Sequence, residues 1–184
     1  MNSPVVIAPQ PVPAAPTSAM PGLRDPLSQA LYTLIAQQPF FKGLDSQQLQ
    51  LLTGSALEMK FETGAILFQE GSPANRFYLI LTGRVELTAE MEDGNAIPIQ
   101  TLGPGDDLGW SWLFPPYSIH FTARALEPTT AIFFYGTRVR EQCEQDHELG
   151  YQLMKRIAEV ATQSLRATQR RLMQYIDKNT PEKP

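Results

Sequence analysis

From Leu57 to Tyr135 the sequence breaks into short apolar runs, with a turn signal about every 8–12 residues. The runs are 57–62, 65–69, 76–82, 84–90, 96–101, 119–126 and 129–135. Gly64, Gly71, Gly83, Gly94 and Gly103-Pro104-Gly105 punctuate them. Asp93-Gly94-Asn95 is a tight hairpin signal, because Asp-Gly accepts the backbone that a two-residue turn demands. Seven or eight short strands at this spacing argue for a sandwich or a rolled barrel.

Helices flank this stretch. Asp25-Pro26 is a helix start, a capping side chain followed by proline at the first helical position. Leu27, Leu31, Leu34 and Ile35 then recur at helical spacing to about Gln37. Asp45 caps a short helix through Leu52. After the last strand, Thr137 is read as the cap of a helix to about Glu144, and Asp146 as the cap of another to about Ile176. Within the latter, Met154, Ala158, Ala161, Leu165, Thr168, Leu172 and Tyr175 fall at alternating four- and three-residue steps. That is a heptad seam, and it points to a parallel homodimer, the alternative being one amphipathic helix folded on its own domain. Leu153, Ile157 and Val160 lie on the neighbouring face, toward the strands.

The expected organisation is a disordered proline-rich tail at 1–22, a domain at 23–145, a long dimerisation helix at 146–178 and a frayed tail at 179–184. The tail at 1–22 holds six prolines. The net charge of −4, from 15 basic and 19 acidic side chains, weighs against a general nucleic-acid binder. Lys155, Arg156, Arg166, Arg170, Arg171 and Lys178 read as a solvated face beside the seam rather than a DNA arm. No apolar run is long enough to span a membrane, and no basic region precedes the short Val5-Val6-Ile7, so a cytoplasmic setting is expected. The single cysteine, Cys143, reads as a small helix residue, with a redox-sensing thiol as the alternative.

Two segments carry the functional signal. One is 67–87, in which Gly71 and Gly83 bracket the apolar strand Phe77–Leu81. The other is 104–125, P-G-D-D-L-G-W-S-W-L-F-P-P-Y-S-I-H-F-T-A-R-A, which holds both tryptophans of the chain. With one helical region before the strands and two helices after them, these segments resemble the cyclic nucleotide-binding domain. The similarity covers about residues 38–175 and is nearest to the bacterial catabolite activator and oxygen-responsive regulator superfamily. It implies a mainly β fold with flanking helices: a jelly-roll barrel, N-terminal helices and a long C-terminal helix. It also implies a phosphate-binding cassette, in which a short helix after P-G-D-x-x-G turns backbone N–H groups toward an anion. A glutamate after the last glycine then accepts from the ribose, and an arginine about ten residues on pairs with the phosphate.

The frame of that cassette is present in Pro104-Gly105-Asp106, Gly109 and Thr122-Ala123-Arg124-Ala125, but its charges are not. Trp110 stands at the glutamate position, and Ile119, or His120 in a longer loop, at the arginine position. Arg124 should face opposite to Ala123 and Ala125, so it does not replace the arginine. Losing one partner of a buried charge pair costs about 2–5 kcal/mol, roughly 30- to several-thousand-fold in affinity. Cyclic AMP or GMP is therefore not expected to bind in the usual way, leaving at most a weak or non-standard nucleotide or anion. The ligand candidates are Gly109, Trp110, Ser111, Trp112, Tyr117, Ile119 and His120. Three uses of the segment compete: an aromatic plug of Trp110, Trp112, Phe114, Tyr117 and Phe121; a site for another small molecule; or a docking surface for a protein partner.

Enzyme chemistry is not expected. With only two histidines, His120 and His147, no multi-histidine metal site is available, and no nucleophile–base motif or P-loop is present. Asp106-Asp107 reads as a turn acid beside a solvated acid, not a catalytic pair. Only about eight residues follow Ile176, too few for the helix-turn-helix that related regulators place there. The sequence thus reads as a regulatory module acting through a partner or a non-standard ligand. The alternatives are a transcriptional regulator without its own DNA-binding part and an accessory subunit of an enzyme complex.

Overall fold

A computed structural model describes residues 26–91 and 94–179, with backbone alone at 171–172 and 174–179. The tail read at 1–22, the tail read at 179–184 apart from its first residue, the Asp25 cap and Asp93 of the hairpin lie outside the described residues; Asn179 is helical rather than frayed. The chain runs α1 (Pro26–Ala36), a 3-10 turn (Pro39–Phe41), α2 (Ser46–Thr53), β1 (Ala56–Phe61), β2 (Ile66–Phe68), β3 (Arg76–Thr82), β4 (Val85–Glu90) and β5 (Ala96–Leu102). It continues with β6 (Asp107–Leu108), a 3-10 turn (Trp110–Leu113), β7 (Thr122–Ala125), β8 (Thr129–Tyr135), α3 (Gly136–Gln145) and α4 (His147–Asn179).

Two four-stranded antiparallel sheets, ordered β1-β8-β3-β6 and β2-β7-β4-β5, form the roll. β3 and β8 pair along their length, from Arg76 opposite Tyr135 to Thr82 opposite Thr130. Phe77–Leu81 of β3 and Ala131–Tyr135 of β8 are apolar without interruption because both faces of these strands are covered. Tyr78, Ile80, Ala131 and Phe133 point into the roll with Phe68, Leu102 and Leu108. Phe77, Leu79, Ile132 and Phe134 point the other way, into a second core under the helices. That second core takes Ile35 from α1, Leu49 and Leu52 from α2, Val139 and Cys143 from α3, and Leu149, Leu153 and Ile157 from α4.

Local chemistry sets the helix ends. Asp45 and Gln48 form a reciprocal capping box at α2, with Gln48 N–H donating to Asp45 Oδ1 at 2.9 Å. Asp146 Oδ1 accepts from Leu149 N–H at 3.0 Å at the start of α4. Thr137 does not cap α3: the helix begins at Gly136, directly out of β8 and with no side-chain cap. The expected strand 119–126 is shorter, 122–125, because Ile119 bonds Ser72 and Gly71 across the entry loop instead of joining the sheet ladder.

Along α4, Leu153 and Ile157 are buried and Val160 is half-buried. Met154 and Leu165 are 51% and 59% exposed on the outward side, and Ala158 is exposed with them. Ala161 is half-buried and Thr168 exposed. The side chains of Leu172 and Tyr175 lie outside the described residues. No described helix is long and apolar enough to cross a membrane.

Candidate functional site

The segment after β5 is held as a template of backbone bonds. Asp106 Oδ2 accepts from Gly103 N–H at 2.8 Å, closing the turn. Gly105 N–H donates to Ile80 C=O, and Ile80 N–H to Asp106 C=O. β6 then pairs with β3, Asp107 opposite Leu79 and Leu108 opposite Tyr78. Gly109 follows at φ 88°, and a Cβ there would lie 2.6 Å from the Arg76 carbonyl oxygen. Only glycine both adopts that backbone and permits that approach.

The next turn sends its two tryptophans to different places. Trp112 drops into the second core, 1% exposed, against Phe77. A Cβ on Gly136 would come within 2.8 Å of Trp112 Cβ, so the start of α3 is shaped around it. Trp110 stays half-buried at the rim of that core, edge-on to Phe114. Beyond a cis Pro115-Pro116 bond, Tyr117 turns back at φ 55° and lies under the Arg140 guanidinium, 4.2 Å from its ring centre. Arg140 also donates to Trp112 C=O at 2.8 Å, tying the segment to α3.

Five of the seven ligand candidates meet at one cavity. Gly109, Trp110, Ser111, Ile119 and His120 line it, with Phe68, Leu87, Leu102, Leu108 and Phe121 behind them. Ser164 and Thr168 of α4 also line it. Trp112 and Tyr117 do not line it; they lie in the second core and beside α3. His120 sits on the loop before β7 rather than in a strand. The cavity measures about 90 Å³, below the ~300–1,000 Å³ typical of pockets that enclose a drug-sized ligand. Among the described residues neither Lys nor Arg lines it. Arg124 points away, donating to Gly64 C=O at 3.0 Å, while Ala123 and Ala125 are buried.

One lining residue overturns a reading from the sequence. Asp107 is not a solvated acid; it is 8% exposed, and its Oδ2 has no hydrogen-bond partner. Burial pushes its carboxyl up to about 7; its own backbone hydrogen bond acts against that rise, and the Asp106 charge adds to it. A two-residue strand is too short to show alternation, so nothing in the local pattern revealed that this acid faces inward. The contribution of α4 was also missed, although Ser164 and Thr168 continue the steps of Ile157 and Val160 toward the roll. Cys143 is buried and its thiol is pushed up to about 11, by burial first and then by Asp146 and Glu144, which gives no support to a reactive thiolate. Among the described residues no three metal-ligating side chains gather.

Residues 58–146 match the cyclic nucleotide-binding domain family. A solved protein of Geobacter metallireducens, provisionally named cyclic nucleotide-binding, is 30% identical, with a TM-score of 0.64 over 75% of this chain and 97% of its own. The chain belongs to the cyclic nucleotide-binding domain family. A CRP-like cAMP-activated global transcriptional regulator of Mycobacterium tuberculosis is 25% identical over 80% of this chain, and the alignment spans 64% of that regulator's length. The regulatory subunit of a cAMP-independent protein kinase A from Trypanosoma cruzi, bound to guanosine, shares the fold at 22% identity and TM-score 0.57, over 65% of this chain and 42% of its own. In this cyclic nucleotide-binding domain the cassette frame is kept, and the cavity beside it is apolar.

Proposed function

We propose that this chain is a regulatory module of the family that does not use cyclic AMP or cyclic GMP as its signal, and that it acts in the cytoplasm through a protein partner or a non-standard ligand. It has no enzyme activity of its own in this reading. The observation that carries it is Ile119, 3% exposed on the cavity wall at the position where the family resemblance calls for a phosphate-pairing arginine. An anion placed there meets aliphatic carbon and the Asp107 carboxyl. Calorimetry with cyclic AMP and cyclic GMP tests this: the expected result is no binding below about 100 µM, and micromolar binding overturns it.

The outward stripe of α4, Met154, Ala158 and Leu165 with Ala161 beside it, supports a homodimer through this helix, while Thr168 of the expected seam turns to the cavity. A second reading, a transcriptional regulator, is favoured by the Mycobacterium tuberculosis relative. Salt-resistant, sequence-specific DNA retardation by the purified chain would establish it. Co-purification with a larger complex from the native source would favour an accessory subunit instead.

A further inference from the structure

The cavity between the roll and α4 contains one polar group that the fold leaves unused. Asp107 is more than nine-tenths buried, lines the cavity, and its Oδ2 has no partner. A buried acceptor without a donor is costly, and native proteins seldom keep one without a reason. The nearby cations do not supply the donor. Arg156, on α4, donates to Gln152 and to Lys42 C=O. Arg156 and Arg170 line an adjoining open cleft with Asp106 and Glu159, and Asp107 forms the wall common to cleft and cavity. The cavity is walled in part by Phe68, Trp110 and Phe121, and its other polar residues are Gln100, Ser111, His120, Ser164 and Thr168.

Each feature selects against an anion and for a flat donor. A phosphate would confront a carboxyl oxygen with no cation in the cavity to offset it. Aromatic walls favour stacking on a planar ring. A permanent cation would have to leave water for a largely apolar lining, whereas a neutral N–H can satisfy Asp107 Oδ2 without burying a charge. Resting on the reading that cyclic nucleotides are not the signal, we propose that this cavity binds a flat, uncharged nitrogen heterocycle whose N–H donates to Asp107 Oδ2. The cavity holds about 90 Å³, so the ring enters by lifting α4 at Ser164 and Thr168, which line it.

The test uses the full chain at pH 7 with three probes that share a base: adenine, adenosine and cyclic AMP, titrated by calorimetry. Adenine is expected to bind at least tenfold more tightly than cyclic AMP. Asp107→Leu and Asp107→Ala should each weaken adenine at least tenfold while melting no lower than the wild type by more than a few degrees. Adenine affinity unchanged in whichever of these variants folds removes Asp107 from the site and overturns the inference. Absence of binding by adenine, adenosine and cyclic AMP alike also overturns it, yet leaves the proposed function standing. Cyclic AMP binding more tightly than adenosine overturns both.

Discussion

Asp107→Asn exchanges a buried ionisable group for a neutral one of nearly the same shape. The wild-type carboxyl is 8% exposed with one oxygen unpaired, and burial lifts it from its ordinary 3.8 to about 7. Between those values the folded chain keeps a proton that the unfolded chain has lost. Stability therefore falls as pH rises from about 4, and the full loss is reached above about 7. About three units at ~1.4 kcal/mol each make the loss roughly 4 kcal/mol, an upper figure because water entering the cavity would reduce it. Asn does not titrate, so the variant should match the wild type near pH 4 and exceed it by a few kcal/mol at pH 8. Asp106, His120, Arg156 and Glu159 lie near this position in both proteins, so the difference between the curves reports Asp107 together with its coupling to Asp106. The assay is urea unfolding of both proteins at steps from pH 4 to pH 8. Parallel stability curves, or a variant less stable at pH 8, would show that the carboxylate has a stabilising partner and would refute the argument.

Gly109→Ala should destabilise the domain by about 1–3 kcal/mol, read from chemical denaturation, because the new methyl meets the Arg76 carbonyl at 2.6 Å on a left-handed backbone. Trp112→Ala empties a site in the second core and should cost about 3–5 kcal/mol in the same assay, whereas Trp110→Ala, on the cavity wall, should cost far less. Leu165→Glu on the exposed stripe of α4 should shift the chain from dimer to monomer in sedimentation at tens of micromolar, with no loss in melting temperature. Trp110→Glu combined with Ile119→Arg restores the charges the cassette lacks and should create cyclic AMP affinity measurable by calorimetry; a folded double variant with none would remove the cassette comparison.

The strands were legible where pattern and burial agree. The Phe77–Leu81 and Thr129–Tyr135 runs announce strands covered on both faces, and Asp45 and Asp146 announce helix starts through their capping oxygens. What was not legible depended on contacts distant in sequence. β6 is two residues long and exists because β3 offers it an edge. The inward turn of Asp107 follows from that pairing. Trp110 and Trp112 are near neighbours in one aromatic segment, and the pattern alone does not say which is fully buried; Gly136 leaves room for Trp112. The cavity wall was half legible: Gly109, Trp110, Ser111, Ile119 and His120 followed from the cassette frame, but Ser164 and Thr168 arrive from a helix some fifty residues later.

That helix has a mechanical consequence. Its root is clamped by Leu149, Leu153 and Ile157, and beyond them Ser164 and Thr168 touch the cavity. At about 1.5 Å of rise per residue, Ser164 stands ~10 Å from the clamp and Asn179 ~33 Å. A rod pivoting at Ile157 therefore magnifies a displacement about threefold, so that ~1 Å of lift at Ser164 becomes ~3 Å at the far end. A few atoms seated under Ser164 would, through that arm, displace the far end by several times their own lift.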